Sequence, residues 1–195
     1  MEKQLVNIFV LHSLNGDTLK FWGADIKQEF DKTVEVYLPE FPIRAESAYQ
    51  KFYEILSHYF DDGRLNKDSI VICHSIGVPY FVRFSKAHKF VPKAFISVAP
   101  GAIYPYDDPT RNDYIVEARA QALPKPEDFA WVKNNIKNKW CLYSDEDSPI
   151  KRMHSEMFAR EIGAQRMYLK GYNHFSGYNK CYKIPELKEL VKKLI

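Results

Sequence analysis

The sequence predicts an α/β fold of three layers, a mostly parallel six-stranded sheet with helices on both faces. Short apolar runs alternate with amphipathic stretches along the whole length. The apolar runs lack the in-out alternation of a half-exposed strand, as strands covered on both faces do. Finally, 195 residues at 46% hydrophobic and 27% charged suit one ordinary globular domain spanning 1–195.

The elements follow in order. Leu5 to Leu11 reads as the first strand, nearly continuous in apolar residues. Thr18 to Phe30 sets Phe21, Trp22, Ile26 and Phe30 at helical spacing. Thr33 to Leu38 is β-rich and stops at Pro39. Glu46 to Phe60 carries Tyr49, Phe52, Tyr53, Leu56 and Phe60 on one face, then meets Asp61-Asp62-Gly63, a helix stop. Ile70 to Cys73 is a strand and Ile76 to Ala87 a helix, with Pro79 tolerated in its first turn. Ala94 to Val98 is the next strand. Ala99 to Lys125 is irregular, rich in proline, tyrosine and aspartate, and its length suits a lid. Trp140 to Tyr143, Ile150 to Ile162 and Arg166 to Leu169 read as strand, helix and short strand. A last helix opens at Pro185, with Leu187, Leu190, Val191 and Leu194 as its core stripe.

Composition narrows the function classes. Lysines and arginines number 28 against 25 acidic residues, a net +3 without a basic cluster, so nucleic acid is not the expected partner. No apolar run approaches the roughly 20 residues of a membrane span. Met1 to Leu14, interrupted by Asn7 and His12, reads as a buried strand rather than a signal peptide. Cys73, Cys141 and Cys181 are odd in number and lack CxxC spacing, which argues against disulfides and zinc and fits a cytoplasmic location. No set of ligand residues has metal spacing, and no glycine-rich phosphate loop occurs; neither metal nor cofactor is expected.

In a parallel sheet, reactive groups gather where loops leave the carboxyl ends of the strands. Cys73-His74-Ser75-Ile76-Gly77 lies between a strand and a helix, the setting of a nucleophile elbow, although Cys73 stands where G-x-S-x-G has glycine. A plain turn with Ser75 as helix cap is the other reading of those five residues. Asp145-Glu146-Asp147-Ser148-Pro149 follows a strand and offers a carboxylate, or an ordinary cap. Gly171-Tyr172-Asn173-His174-Phe175 follows the last strand and delivers a histidine. The order Ser75, Asp147, His174 is that of α/β-hydrolase triads, unlike the chymotrypsin or subtilisin order. Asp145 competes with Asp147. The loop His12-Ser13-Leu14-Asn15-Gly16-Asp17 should lie beside the nucleophile strand, so amides of Ser13 or Leu14, with Ile76 N–H, are the expected oxyanion donors. His74 should point away from Ser75, and His12 should shape the oxyanion loop. His58, His88 and His154 read as surface residues. Phe41, Tyr104, Tyr106, Tyr114 and Phe175 are the expected walls of an apolar pocket.

These segments resemble the family of small α/β serine hydrolases that includes retinoblastoma-binding protein nine and its bacterial relatives. The resemblance runs nearly end to end. It takes in His12–Asp17 with Phe21-Trp22, Leu38-Pro39-Glu40-Phe41-Pro42 with Arg44-Ala45-Glu46-Ser47, the elbow Cys73–Gly77, Ser144-Asp145-Glu146-Asp147, and Asn173-His174-Phe175. It implies an α/β-hydrolase-like fold with Ser75 as nucleophile, Asp147 as acid and His174 as base. Cys73 and Ser13 stand where the family has glycine. The L-x-C-x-E segment of a retinoblastoma-binding role does not occur. The expected function is a serine hydrolase, carboxylesterase-like, cleaving small to medium acyl esters, thioesters or amides. The alternative is a catalytically weak binding or regulatory protein on the same scaffold. Cys73 as nucleophile is a poor third, since nothing near it would lower its pKa.

Overall fold

A computed structural model of the chain describes residues 6–13, 16–42, 48–103, 123–147 and 150–195. Six strands form one sheet in the order β2-β1-β3-β4-β5-β6, every neighbouring pair parallel. They are β1 (Asn7–Leu11), β2 (Glu35–Tyr37), β3 (Ile70–His74), β4 (Ala94–Val98), β5 (Lys139–Tyr143) and β6 (Gln165–Tyr168). The central strands β1, β3 and β4 are buried at every position, which accounts for their continuous apolar runs. The edge strands β2 and β6 are short and carry Glu35 and Arg166, features that discourage pairing with another chain.

The helices are α1 (Asp17–Lys20), α2 (Trp22–Phe30), α3 (Ala48–Asp61), α4 (Gly77–Ala87), α5 (Pro126–Asn135), α6 (Arg152–Ile162) and α7 (Pro185–Leu194). Side chains alternate across the sheet, so each strand feeds two cores. Ile8, Val10, Ile70, Ile72 and Ile96 meet Trp22, Ile26, Leu187 and Leu190 of α2 and α7. Phe9, Leu11, Val71, Cys73 and Phe95 meet Phe52, Leu56, Phe81 and Phe158 of α3, α4 and α6. The expected three layers are therefore present.

Two elements differ from the sequence reading. The helix expected over Thr18 to Phe30 breaks at Phe21 (φ −113°, ψ −114°) into α1 and α2, with Thr18 and Trp22 both buried. Helix α5 was not expected at all. Pro126 opens it, Glu127 and Asp128 occupy its first turn, and the Asp128 carboxylate accepts from Lys125 N–H at 2.7 Å. Among the described residues, no helix is long and apolar enough to cross a membrane.

Strand order sets the position of the site. From β1 the chain passes by α1 and α2 over one face to β2, then returns by α3 over the other face to β3, beside β1. The connections leaving β1 and β3 thus diverge to opposite faces, and a crevice opens between their carboxyl ends.

Candidate active site

Ser75 follows β3 directly, at that crevice. Its φ is 53°, a left-handed conformation costing a non-glycine residue about 1–3 kcal/mol. The surroundings hold it there: Ser75 N–H donates to Val98 O at 3.0 Å, and Ser75 O accepts from Gly101 N–H at 3.1 Å. At Gly77 an added Cβ would lie 2.9 Å from His12 O and 3.0 Å from Leu11 O, so strand and helix backbones meet with room only for glycine. Cys73, the departure from the elbow pattern, turns its side chain into the core under α3 and α4, where it is fully buried. Burial drives its thiol pKa well up, the opposite of what a nucleophilic cysteine needs.

Ser75 Oγ lies 3.1 Å from His174 Nε2, and His174 Nδ1 lies 3.0 and 3.1 Å from the two carboxylate oxygens of Asp147. A carboxylate can only accept, so Nδ1 carries the proton and Nε2 is free to accept the serine hydroxyl proton. Asp147 is 6% exposed, and Ile150 N–H donates to its Oδ1 at 2.7 Å. Its competitor Asp145 does different work: it accepts from Gly171 N–H at 2.7 Å and from Ser144 Oγ at 3.0 Å. The Gly171 amide holds the Asp145 carboxyl below its ordinary pKa. Tyr172 N–H donates to Ser144 Oγ, so the turn after β6 is tied to the end of β5.

Neither a protein-family model nor a curated protein matches this sequence. Solved structures do match. The ydeN gene product of B. subtilis gives a TM-score of 0.82 at 15% identity, over 96% of this chain and 97% of that one. A carboxylesterase from the thaumarchaeon Nitrososphaera gargenis gives 0.71 at 13%, over 97% and 89%. An alpha/beta hydrolase enzyme from the metagenome of Mar Chica lagoon sediments, Morocco, gives 0.69 at 16%, over 97% and 90%. The fold is that of the α/β hydrolases.

Within this α/β-hydrolase fold, the loop after β1 lies beside the elbow, as β1 pairs directly with β3. Ser13 is buried, and its carbonyl accepts from Gly16 N–H at 3.1 Å and from His12 Nδ1 at 2.5 Å. His12 Nε2 accepts from Phe41 N–H at 2.8 Å, so this imidazole is neutral; burial holds its pKa below the usual value. Among the described residues, no group accepts from Ser13 N–H or Ile76 N–H. Leu14 lies outside the described residues, as do Tyr104, Tyr106 and Tyr114 and most of the expected lid.

Two expectations need correction. Phe175 is not a pocket wall: it is fully buried, stacked on Tyr172 at 5.2 Å in the core under α2 and α7. Phe41 is 7% exposed, as is Ser75 itself, and packs against Phe52 at 4.3 Å. His154 is not a surface residue but 7% exposed on the inner side of α6. Sequence reasoning also gave no role to Thr18, whose Oγ1 lies 2.7 Å from His74 Nδ1; nothing in the sequence ties positions 56 apart. A cleft of about 530 Å³ opens past Ala102 and Ile103 towards Phe129 and Met157, and Ser75, Asp147 and His174 do not line it.

Proposed function

We propose that the chain is a serine hydrolase of carboxylesterase type, acting on small to medium acyl esters, thioesters or amides. One observation carries the reading: the unbroken chain from Ser75 Oγ to His174 Nε2 and from His174 Nδ1 to Asp147, with Ser75 on a left-handed elbow. Ser75 Oγ attacks the carbonyl carbon while its proton passes to His174 Nε2. Asp147 keeps the proton on Nδ1 and stabilises the resulting imidazolium. Ile76 N–H and Ser13 N–H are the donors for the oxyanion, each worth about 3 kcal/mol in the transition state. The intermediate collapses as His174 protonates the leaving group, and the acyl group remains on Ser75. His174 then takes a proton from water as its oxygen attacks the acyl carbon, and passes that proton to Ser75 Oγ as the C–Oγ bond breaks, releasing the acid and the free serine. These steps call on no cofactor. The kinship with the small serine hydrolases around retinoblastoma-binding protein nine belongs to the same proposal, resting on the elbow, the acidic loop and the closing histidine loop.

A fluorophosphonate probe tests the nucleophile. The wild type takes up one equivalent at Ser75 and hydrolyses p-nitrophenyl butyrate, and Ser75→Ala does neither. Labelling that persists in Ser75→Ala removes the assignment. A wild type that neither labels nor turns over esters leaves the binding or regulatory alternative in its place.

A further inference from the structure

We infer that His74 is a positioning residue: its imidazole, oriented by the Thr18 hydroxyl, holds the His174 backbone so that the base stays within reach of Ser75. This rests on the reading of Ser75 and His174 as nucleophile and base.

His74 ends β3, and strand alternation sends its side chain to the face opposite Cys73, under α1 and α2, where it is fully buried. The ring has two partners. His174 O lies 2.8 Å from Nε2, and Thr18 Oγ1 lies 2.7 Å from Nδ1. A carbonyl only accepts, so Nε2 bears the hydrogen, and Nδ1 accepts from the Thr18 hydroxyl. The other tautomer would aim two lone pairs at each other. Burial, reinforced by charge repulsion from His174 and, more weakly, His12, pushes the His74 pKa down to about 3. The ring therefore stays neutral while His174, 5.1 Å away between ring centres, gains and loses its proton.

The histidine loop needs such support. His174 sits between Asn173 (φ 50°) and Phe175 (φ 51°), both left-handed and neither glycine. The carbonyls of His174 and Phe175 are both held by buried side chains: the first by His74, the second by Trp22 Nε1–H at 2.9 Å. The Trp22 and His74 rings meet edge to face at 5.8 Å. Core packing alone would be satisfied by a phenyl ring at 74, whereas positioning requires the N–H.

The test compares kcat and KM for p-nitrophenyl butyrate in the wild type, His74→Phe, His74→Gln and Thr18→Val, with histidine-ring ¹H–¹⁵N spectra of each. Glutamine restores an N–H close to the place of Nε2. His74→Phe is expected to lower kcat about 10- to 100-fold with KM within about twofold, and His74→Gln to recover most of that loss. In the wild-type spectra, His74 keeps its proton on Nε2 and does not titrate down to about pH 5. A folded His74→Phe with wild-type kcat overturns the inference, as does a His74→Gln no better than His74→Phe. So does a His74 ring that titrates near its ordinary value or carries its proton on Nδ1. If His74→Phe does not fold, Thr18→Val decides with the wild-type spectra: it is expected to lower kcat about 3- to 10-fold at unchanged KM by freeing the ring, and wild-type kcat in it overturns the inference. Hydrolysis that survives in Ser75→Ala sinks the serine reading instead, and the ring spectra then judge His74 separately.

Discussion

For single side chains, the two carboxylates of the acidic loop divide the work. Asp147 faces His174, so Asp147→Asn presents an amide to Nδ1 and favours the wrong tautomer; kcat should drop by about 10⁴-fold with little change in KM. Asp145 accepts from the Gly171 amide through one oxygen, so Asp145→Ala, which removes that acceptor, should lower thermal stability more than turnover. Steady-state kinetics and melting curves on the pair separate the roles, and an interchange of the two phenotypes would reverse the assignment. Gly77 sets a different constraint. Alanine there gains about 1 kcal/mol of helix propensity, but its Cβ would press into His12 O at 2.9 Å. Backbone cannot step aside cheaply, so Gly77→Ala should be net destabilising by about 1–3 kcal/mol in urea unfolding and should slow acylation. Ser75, Asp147 and His174 were legible as residue types following strands in a particular order. The choice between Asp147 and Asp145 was not, because two positions of spacing on a loop do not say which carboxylate turns inward.

For the elements, legibility tracked the strength of the apolar stripe. Helix α3, with Phe52 and Leu56 buried, and helix α7, with Leu187, Leu190 and Val191 buried, announce themselves by period. Helix α5 buries only Asp128 and Val132, so its pattern is faint and only its Pro126 start and acidic first turn mark it. The break at Phe21 was invisible for another reason: it serves contacts with a loop more than 150 positions later. Trp22 Nε1–H bonds Phe175 O across a separation of 153 residues. Trp22→Phe should orphan that buried carbonyl and cost about 1–3 kcal/mol, read as a lower urea midpoint with unchanged slope. A midpoint unaltered by the substitution would mean the loop does not depend on this bond.

For the whole molecule, neutral histidines couple folding to pH. His74 and His12 are buried with lowered pKa values, and burial moves His88 and His154 the same way. Each has an ordinary value near 6.5 when unfolded, so between that pH and the lower folded value the unfolded chain binds more protons. Their contribution is thus complete above about pH 6.5 and is lost as pH falls towards about 3, the folded value of His74. The melting temperature should fall between about pH 7 and 5, before most carboxylates titrate, and His74→Gln should flatten that slope. Parallel slopes in the two proteins would place the titrating groups elsewhere.

Local chemistry announces itself in a linear chain, and so the strands, the amphipathic helices, the strand–turn–helix context of Ser75 and the three-layer class could all be read before any coordinates. Apolar period and glycine placement are properties of neighbouring residues. Proximity across the sheet is not. β6 lies three strand spacings from β3, about 14 Å, and His174 crosses that gap on a loop clamped by Asp145, Ser144, Trp22 and His74. Those clamps join residues from four separate segments, and their hydrogen bonds exist only once strand order has brought the segments together. The inward turn of Asp147, the core placement of Phe175 and the pairing of Thr18 with His74 follow from that assembly, because burial and hydrogen-bond partners belong to the packed molecule rather than to any stretch of it.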